Sequence, residues 1–279
     1  MRPEVAALLT CPTCGGRLAR GDGALRCVAG HSFDIARQGY VHLLPGGGDT
    51  ASADTARMVA ARADVFDAGH MAPLTAAVVD EVRSAAPPPG AVADVGAGTG
   101  HHLAAVLDAL DGRPGLAIDR SKHAARRAAR AHPWAGAIVA DAWARLPVRD
   151  GVMAVVLSIF APRHGAEFAR VLARGGTVVV VTPLSDHLDT IVAALGLLTV
   201  DQRKAERLER RLGPQLVTAA AREHRHDLAL DHGAVAAVVG MGPSAHHVER
   251  DLADRIAALP TIVHTQVAVR IACYRHRDL

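Results

Sequence analysis

With 279 residues, half of them hydrophobic, the chain is long for one domain and is expected to be globular and soluble. Its formal charge of +3 permits contact with a polyanion without demanding it, and no apolar run approaches the ~18–20 residues that span a bilayer. Residues 1–10 carry Arg2 and Glu4 and show neither a long apolar core nor a small-residue cleavage site, so no membrane association and a cytoplasmic location are expected.

Three of the four cysteines come first in the chain, as Cys11, Cys14 and Cys27, and His31 follows. The pattern is C-x2-C-x12-C-x3-H, and Gly15 and Gly16 after the first pair suit a tight knuckle around a metal. Thiolates and an imidazole at this spacing fit tetrahedral Zn²⁺. Disulfides are the competing reading; a cytoplasmic location and the C-x2-C geometry disfavour them, and a redox pair would leave Cys27 and His31 unexplained. Four protein ligands make a closed, structural site. Cys273, alone in an apolar C-terminal strand, reads as a core thiol. Residues 1–44 bury little apolar surface by themselves, so metal binding should supply much of their folding energy. Arg17, Arg20, Arg26 and Arg37 give this module a basic face, suited to nucleic acid or simply solvated.

A flexible joint at 45–49 and two helices, 55–68 and 73–86, connect this module to the rest, giving expected units of 1–44, 45–90 and 91–279. Strands then alternate with helices: strand 91–95, helix 99–110, strand 115–119, helix 121–131, strands 136–140 and 152–157, helix 164–172, strand 176–182 and helix 186–195. Such alternation predicts an α/β fold, a parallel sheet with helices on both faces. A charged helix at 201–212 carries Arg203, Arg207, Arg210 and Arg211 in one stripe, facing either solvent or phosphates. Long strands at 216–230 and 261–274 predict a C-terminal antiparallel pair, completing a seven-stranded sheet.

The run Asp94-Val95-Gly96-Ala97-Gly98-Thr99-Gly100 is the most informative stretch. Glycines let the backbone turn tightly and approach a ligand. Asp119 ends the next strand, where its carboxylate can accept hydrogen bonds from a ribose diol. The spacing D-x-G-x-G-x-G resembles motif I of the class I methyltransferases, with their Rossmann-like sheet, and implies S-adenosylmethionine as ligand. Ligands of such sheets bind outside the carboxyl ends of the strands. That rule ranks Asp94, Gly96, Gly98, Thr99, Gly100 and Asp119 first. Asp141 ends the third strand, where it can bond the adenine amino group or cap a helix. Ser158 and Phe160 mark the end of the fourth, where the acceptor should sit, and His187 follows the fifth. His101 and His102 are weaker candidates. Asp141, His164 and His187 are candidate bases, and Phe160 or Trp143 could stack on an acceptor base.

The chain resembles the RlmA family of large-subunit rRNA guanine-N1 methyltransferases, in its RlmA-II branch. The resemblance covers nearly the whole chain. It rests on the zinc spacing, on the run from Gly30-His31-Ser32-Phe33-Asp34 to Gly39-Tyr40-Val41, and on Ala60-Ala61-Arg62 and Asp67-Ala68-Gly69-His70. It continues through motif I, Ile159-Phe160-Ala161-Pro162-Arg163, Thr182-Pro183, His187-Leu188 and Met241-Gly242-Pro243-Ser244-Ala245. It implies structural zinc on Cys11, Cys14, Cys27 and His31, and cofactor contacts at Gly98, Thr99 and His187. It further implies a homodimer acting on a guanine in the hairpin-35 loop of 23S rRNA, protecting ribosomes from a macrolide-type antibiotic. Three positions depart from the family pattern: Met71 stands for a cofactor-contacting Tyr, His42 for Asn, and Ser158 for Asn. These departures also fit a methyltransferase redirected to a small natural product. A SAM-binding RNA-binding protein without catalysis is a third, weaker reading.

Overall fold

The computed structural model describes residues 1–45, 53–197, 212–242 and 251–277. Residues 46–49 of the expected joint, the arginine stripe at 203, 207, 210 and 211, and the run 243–245 lie outside the described residues. A first helix, α1 (Pro3–Ala6), leads into β1 (Leu18–Arg20), β2 (Ala24–Cys27) and β3 (Ser32–Asp34), a small antiparallel sheet. Then follow β4 (Tyr40–His42), α2 (Ala56–Asp67) and α3 (Ala72–Ser84). Thr55 starts α2 by accepting the Met58 N–H at 3.2 Å, the usual service of a threonine N-cap.

The remaining elements alternate as expected. They are β5 (Ala91–Val95), α4 (His101–Ala109), β6 (Gly115–Asp119), α5 (Lys122–Ala128), β7 (Ala135–Val139), β8 (Met153–Ile159), α6 (Gly165–Val171), β9 (Leu172–Pro183) and α7 (Asp189–Ala194). The chain ends with β10 (Leu216–Leu230), α8 (His232–Gly240), α9 (Leu252–Ala257) and β11 (Val263–His276). The central sheet runs β10-β11-β9-β8-β5-β6-β7-β4. Strands β5 to β9 are parallel and near-continuously apolar because both of their faces are covered. The C-terminal pair β10 and β11 is antiparallel.

The expected seven strands are present, and β4 adds an eighth at the edge, parallel to β7. This strand belongs to the segment read from sequence as a separate N-terminal module. Two further ties join that segment to the sheet: Leu9 bridges Val148, and the Leu43 N–H donates to the Val139 carbonyl at 2.9 Å. Leu8, Leu9, Leu25, Val41 and Leu43 pack in one apolar cluster with Leu116, Ile118, Ile138, Leu146 and Val148. Residues 1–44 are therefore packed onto the sheet through a shared apolar cluster. The opposite face of the sheet is covered by α3, α4 and α5. Cys273 is buried there, as expected of a core thiol, with its Sγ 3.5 Å from Glu81 Oε2.

Candidate cofactor and acceptor site

The parallel strands bring the ends of β5, β6, β8 and β9 to one rim. At the end of β5, Gly96, Gly98 and Gly100 all have positive φ, at 78°, 54° and 84°. Two of these glycines are also demanded by close packing. A Cβ on Gly96 would lie 2.5 Å from the Ala161 Cβ, and one on Gly100 would lie 2.9 Å from the Ala131 Cβ. The first contact seats the loop after β8 on the glycine turn; the second lets α4 approach the end of α5. Asp119 fixes the turn from the neighbouring strand. Its Oδ2 accepts the Gly98 N–H at 2.9 Å and its Oδ1 accepts the Ser121 N–H at 2.8 Å.

Asp94 is 2 % exposed, and burial, with Asp119 nearby, raises its pKa to about 7. Burial also raises Asp119, to about 6, against the lowering effect of its two backbone hydrogen bonds. Two carboxylates whose charge is poorly compensated form a site that a cation relieves. S-adenosylmethionine, with its sulfonium and ammonium groups and its ribose diol, matches that requirement.

The other expected residues divide. Phe160 follows β8 with φ 52°, 47 % exposed, its N–H donating to the Val181 carbonyl at 3.1 Å and its ring 5.4 Å from that of His187. His187 lies beside the Ala268 backbone, with Nδ1 3.2 Å from the carbonyl oxygen, and burial pushes its pKa down to about 4. It is a neutral imidazole at physiological pH. Thr99 is buried, with its Oγ1 2.7 Å from His101 Nδ1. Asp141 accepts the Trp143 N–H at 2.9 Å and so closes a local turn.

Ser158, expected on the acceptor side, is fully buried and donates to the Pro162 carbonyl at 3.4 Å, so it shapes the turn from beneath. Met71 is 3 % exposed and packs in the apolar cluster of α3 and α4, so core packing fills the position that the resemblance gives to a ring on the cofactor. His42 is exposed on β4. His101 stacks on Phe66 at 4.6 Å, and His102, lowered by burial to about 3, lies 3.1 Å from Thr75 Oγ1. Both histidines fasten α4 to the preceding helices.

Sequence reasoning missed Arg62 and Asp54. Arg62 reaches from α2 across Gly98 and pairs with Asp54, while the Ser121 Oγ–H donates to the Asp54 carbonyl at 2.6 Å. Arg62 lies in a run already noted for the family resemblance, but its distance in sequence from the turn hid the contact.

In the N-terminal module the ligand atoms of Cys11, Cys14, Cys27 and His31 all lie within 4.8 Å of one another. Tetrahedral zinc with Zn–S bonds of ~2.3 Å sets S···S edges of about 3.8 Å. The Cys14 and Cys27 sulfurs are 3.7 Å apart, and His31 Nδ1 stands 3.4 Å from Cys27 Sγ and 3.6 Å from Cys11 Sγ. The Gly15 N–H donates to the Cys11 carbonyl at 2.8 Å, making the knuckle. The donor set fits zinc, and no disulfide is formed among the four cysteines. Cys27→Ser is expected to lower zinc content below one per chain by elemental analysis. It should depress the thermal midpoint yet leave S-adenosylmethionine affinity within a few-fold, because the glycine turn draws its contacts from other segments. Loss of both together would show that the module props the cofactor site.

A sheet of this order with this turn defines an S-adenosylmethionine-dependent methyltransferase that carries a zinc ribbon. Residues 93–180 match a family model described as a methyltransferase domain, and residues 9–47 match one described as RlmA, N-terminal. A Streptomyces fradiae protein named 23S rRNA (guanine(748)-N(1))-methyltransferase is 49 % identical over 99 % of both chains. A Micromonospora griseorubida relative is 48 % identical over 99 % of both, and one from Bacillus subtilis is 34 % identical over 65 % of this chain and 66 % of its own. The chain belongs to the RlmA methyltransferase family.

Proposed function

We propose that the protein methylates N1 of a guanine in the hairpin-35 loop of 23S rRNA, in the cytoplasm, as a homodimer, and thereby protects ribosomes from a macrolide. The near-full-length likeness to the Streptomyces fradiae enzyme carries this reading, and the site agrees with it. Bound S-adenosylmethionine supplies an electrophilic methyl group on a sulfonium. Asp94, Asp119 and the Gly98 and Thr99 turn bind and orient it. Held there, the cofactor would supply its methyl group to N1 and keep the S–C electron pair as a neutral thioether, and the N1 proton would leave to solvent water. N1 lies on the Watson–Crick edge, so the base must stand free of pairing. Phe160 offers a ring on which an unpaired base stacks, beside the rim that holds the methyl donor. His187 supports that ring; a base held at about 4 is a weak proton acceptor, so in-line positioning carries most of the acceleration.

RNA binding has a second support away from this rim. Arg2, Arg20, Arg130 and His132 line an open cavity of about 570 Å³ where the zinc ribbon meets the amino end of β7. Arg2 lies over Trp134 at 3.7 Å, and Arg20 and Arg130 have no ion-pair partner among the described residues. Such a seam suits phosphates of the stem below a hairpin loop. Charge reversal, Arg20→Glu with Arg130→Glu, is expected to weaken RNA binding at low salt. It should also reduce the slope of log K against log salt by about 0.7–0.9 for each phosphate that is no longer neutralised. An unchanged slope would remove this surface from the RNA path.

The function itself is tested with labelled S-adenosylmethionine and 23S rRNA lacking the modification, mapped by primer extension. A stop in hairpin 35 supports the reading. Label in small metabolites and none in RNA overturns it.

A further inference from the structure

We propose that Arg62 binds the carboxylate of S-adenosylmethionine, held ready over the glycine turn by Asp54 and the Met241 carbonyl. The cofactor carries three ionic groups, a sulfonium, an ammonium and a carboxylate. The buried carboxylates of Asp94 and Asp119 suit its cationic and hydroxyl groups, and its one anionic group needs a cation. Arg62 meets that need by position. Its Cδ and Nη1 stand 3.1 and 3.2 Å from the point where a Cβ on Gly98 would sit, so its guanidinium stem crosses the face that this glycine leaves open.

Segments far apart in the sequence hold it there. Nη1 pairs with Asp54, and Nη2 donates to the Met241 carbonyl, at the end of α8, at 2.8 Å. Asp54 is itself fastened to the rim, since its carbonyl accepts the Ser121 hydroxyl and Ser121 N–H donates to Asp119. A guanidinium carries five N–H donors, and Nε of Arg62 has no hydrogen-bond partner among the described residues. Donor capacity therefore remains for a carboxylate beside Asp54 or in exchange for it. Arg62 also lies close enough to Asp119 to lower that carboxyl, so its charge is felt within the site.

The test uses the full-length, zinc-loaded protein and isothermal calorimetry, with S-adenosylmethionine and its decarboxylated analogue as the two probes. A charge-assisted contact predicts that the wild type prefers the intact cofactor by about 10- to 100-fold. In Arg62→Met the two probes should bind alike, with affinity for the analogue unchanged or improved. Arg62→Lys should recover part of the preference, since an ammonium keeps the charge and loses the fork. Asp54→Asn, which releases Arg62 from its resident partner, should leave affinity for the intact cofactor equal or tighter. A structural role for Arg62 moves both probes together. Equal weakening of both in Arg62→Met, or an undiminished preference, overturns the proposal. If Arg62→Met does not fold, equal weakening of both probes in Asp54→Asn and in Arg62→Lys does the same. The outcome depends on the cofactor alone, so it stands or falls separately from the RNA substrate.

Discussion

Replacing Phe160 by alanine is expected to reduce methyl transfer to RNA at least about 100-fold, the scale of a misplaced reactant, while S-adenosylmethionine affinity stays within a few-fold. Phe160 combines two unfavourable features. Its φ of 52° places a non-glycine residue in the left-handed region, and nearly half of a large apolar ring faces solvent. A strained backbone of this kind costs of order 1–3 kcal/mol and persists where the surroundings enforce it. Here the Phe160 N–H bonds to Val181, and the next residue, Ala161, sits on Gly96. The loop is thus clamped between β9 and the glycine turn, and the ring is aimed outward at the rim of that turn. Base–aromatic stacking contributes about 1–3 kcal/mol per base, so its removal raises KM, and poorer in-line alignment then lowers kcat. Phe160→Gly separates the two features, since it removes the ring and relieves the backbone. It should be at least as stable as Phe160→Ala and equally inactive. Calorimetry for the cofactor and single-turnover methylation for the chemistry check this. If cofactor binding and transfer fall together, the ring belongs to the cofactor pocket and another group must hold the guanine.

How much of this was legible in the sequence depends on how local the cause is. The glycine turn is written in adjacent residues, because positive φ and close approach both select glycine, and Asp119 follows from strand length. The zinc ligands are legible for the same reason: thiolate and imidazole chemistry at that spacing has few other uses. Strands β5 to β11 declared themselves by apolar runs and turn residues, and β10 fell on the expected 216–230. What stayed hidden is tertiary. Residues 40–42 are too short to announce a strand, and only the free edge of β7 turns them into one. Ser158 sits two residues before solvent-facing Phe160, but it lies inside β8, which is buried on both faces, and bonds the Pro162 carbonyl, whereas Phe160 leaves the strand through its positive φ. Arg62 touches Gly98 only because α2 folds back over the rim, and no periodicity within α2 reveals it.

Asp94→Asn should stabilise the ligand-free protein at pH 8 and nearly abolish S-adenosylmethionine binding. Burial raises Asp94 to about 7, well above an unfolded aspartate at ~3.9. The folded state therefore holds a proton there that the unfolded state has released. Stability from this group is fully present below pH ~4 and is lost as pH rises through about 7. Carrying Asp94 from ~3.9 to about 7 corresponds to at most roughly 4 kcal/mol, reduced by whatever hydrogen bonds the carboxylate gains on relaxation. Asparagine removes that pH dependence, so wild type and variant should have similar midpoints near pH ~4, diverge as pH rises from ~4 to about 7, and stay apart by a constant amount above it. Cofactor binding has the opposite sign. A sulfonium and an ammonium favour the ionised carboxylate, so wild-type affinity should strengthen as pH rises through 6 to 8, by up to tenfold per unit while Asp94 is still protonated. Asp119, raised to about 6, adds its own gain at lower pH. In Asp94→Asn the slope between pH 6.5 and 8 should flatten. Thermal melts and calorimetry across this range test both signs at once. A variant that binds the cofactor with wild-type affinity and slope would place the methyl donor's positive charge away from the end of β5, and the glycine turn would need another ligand.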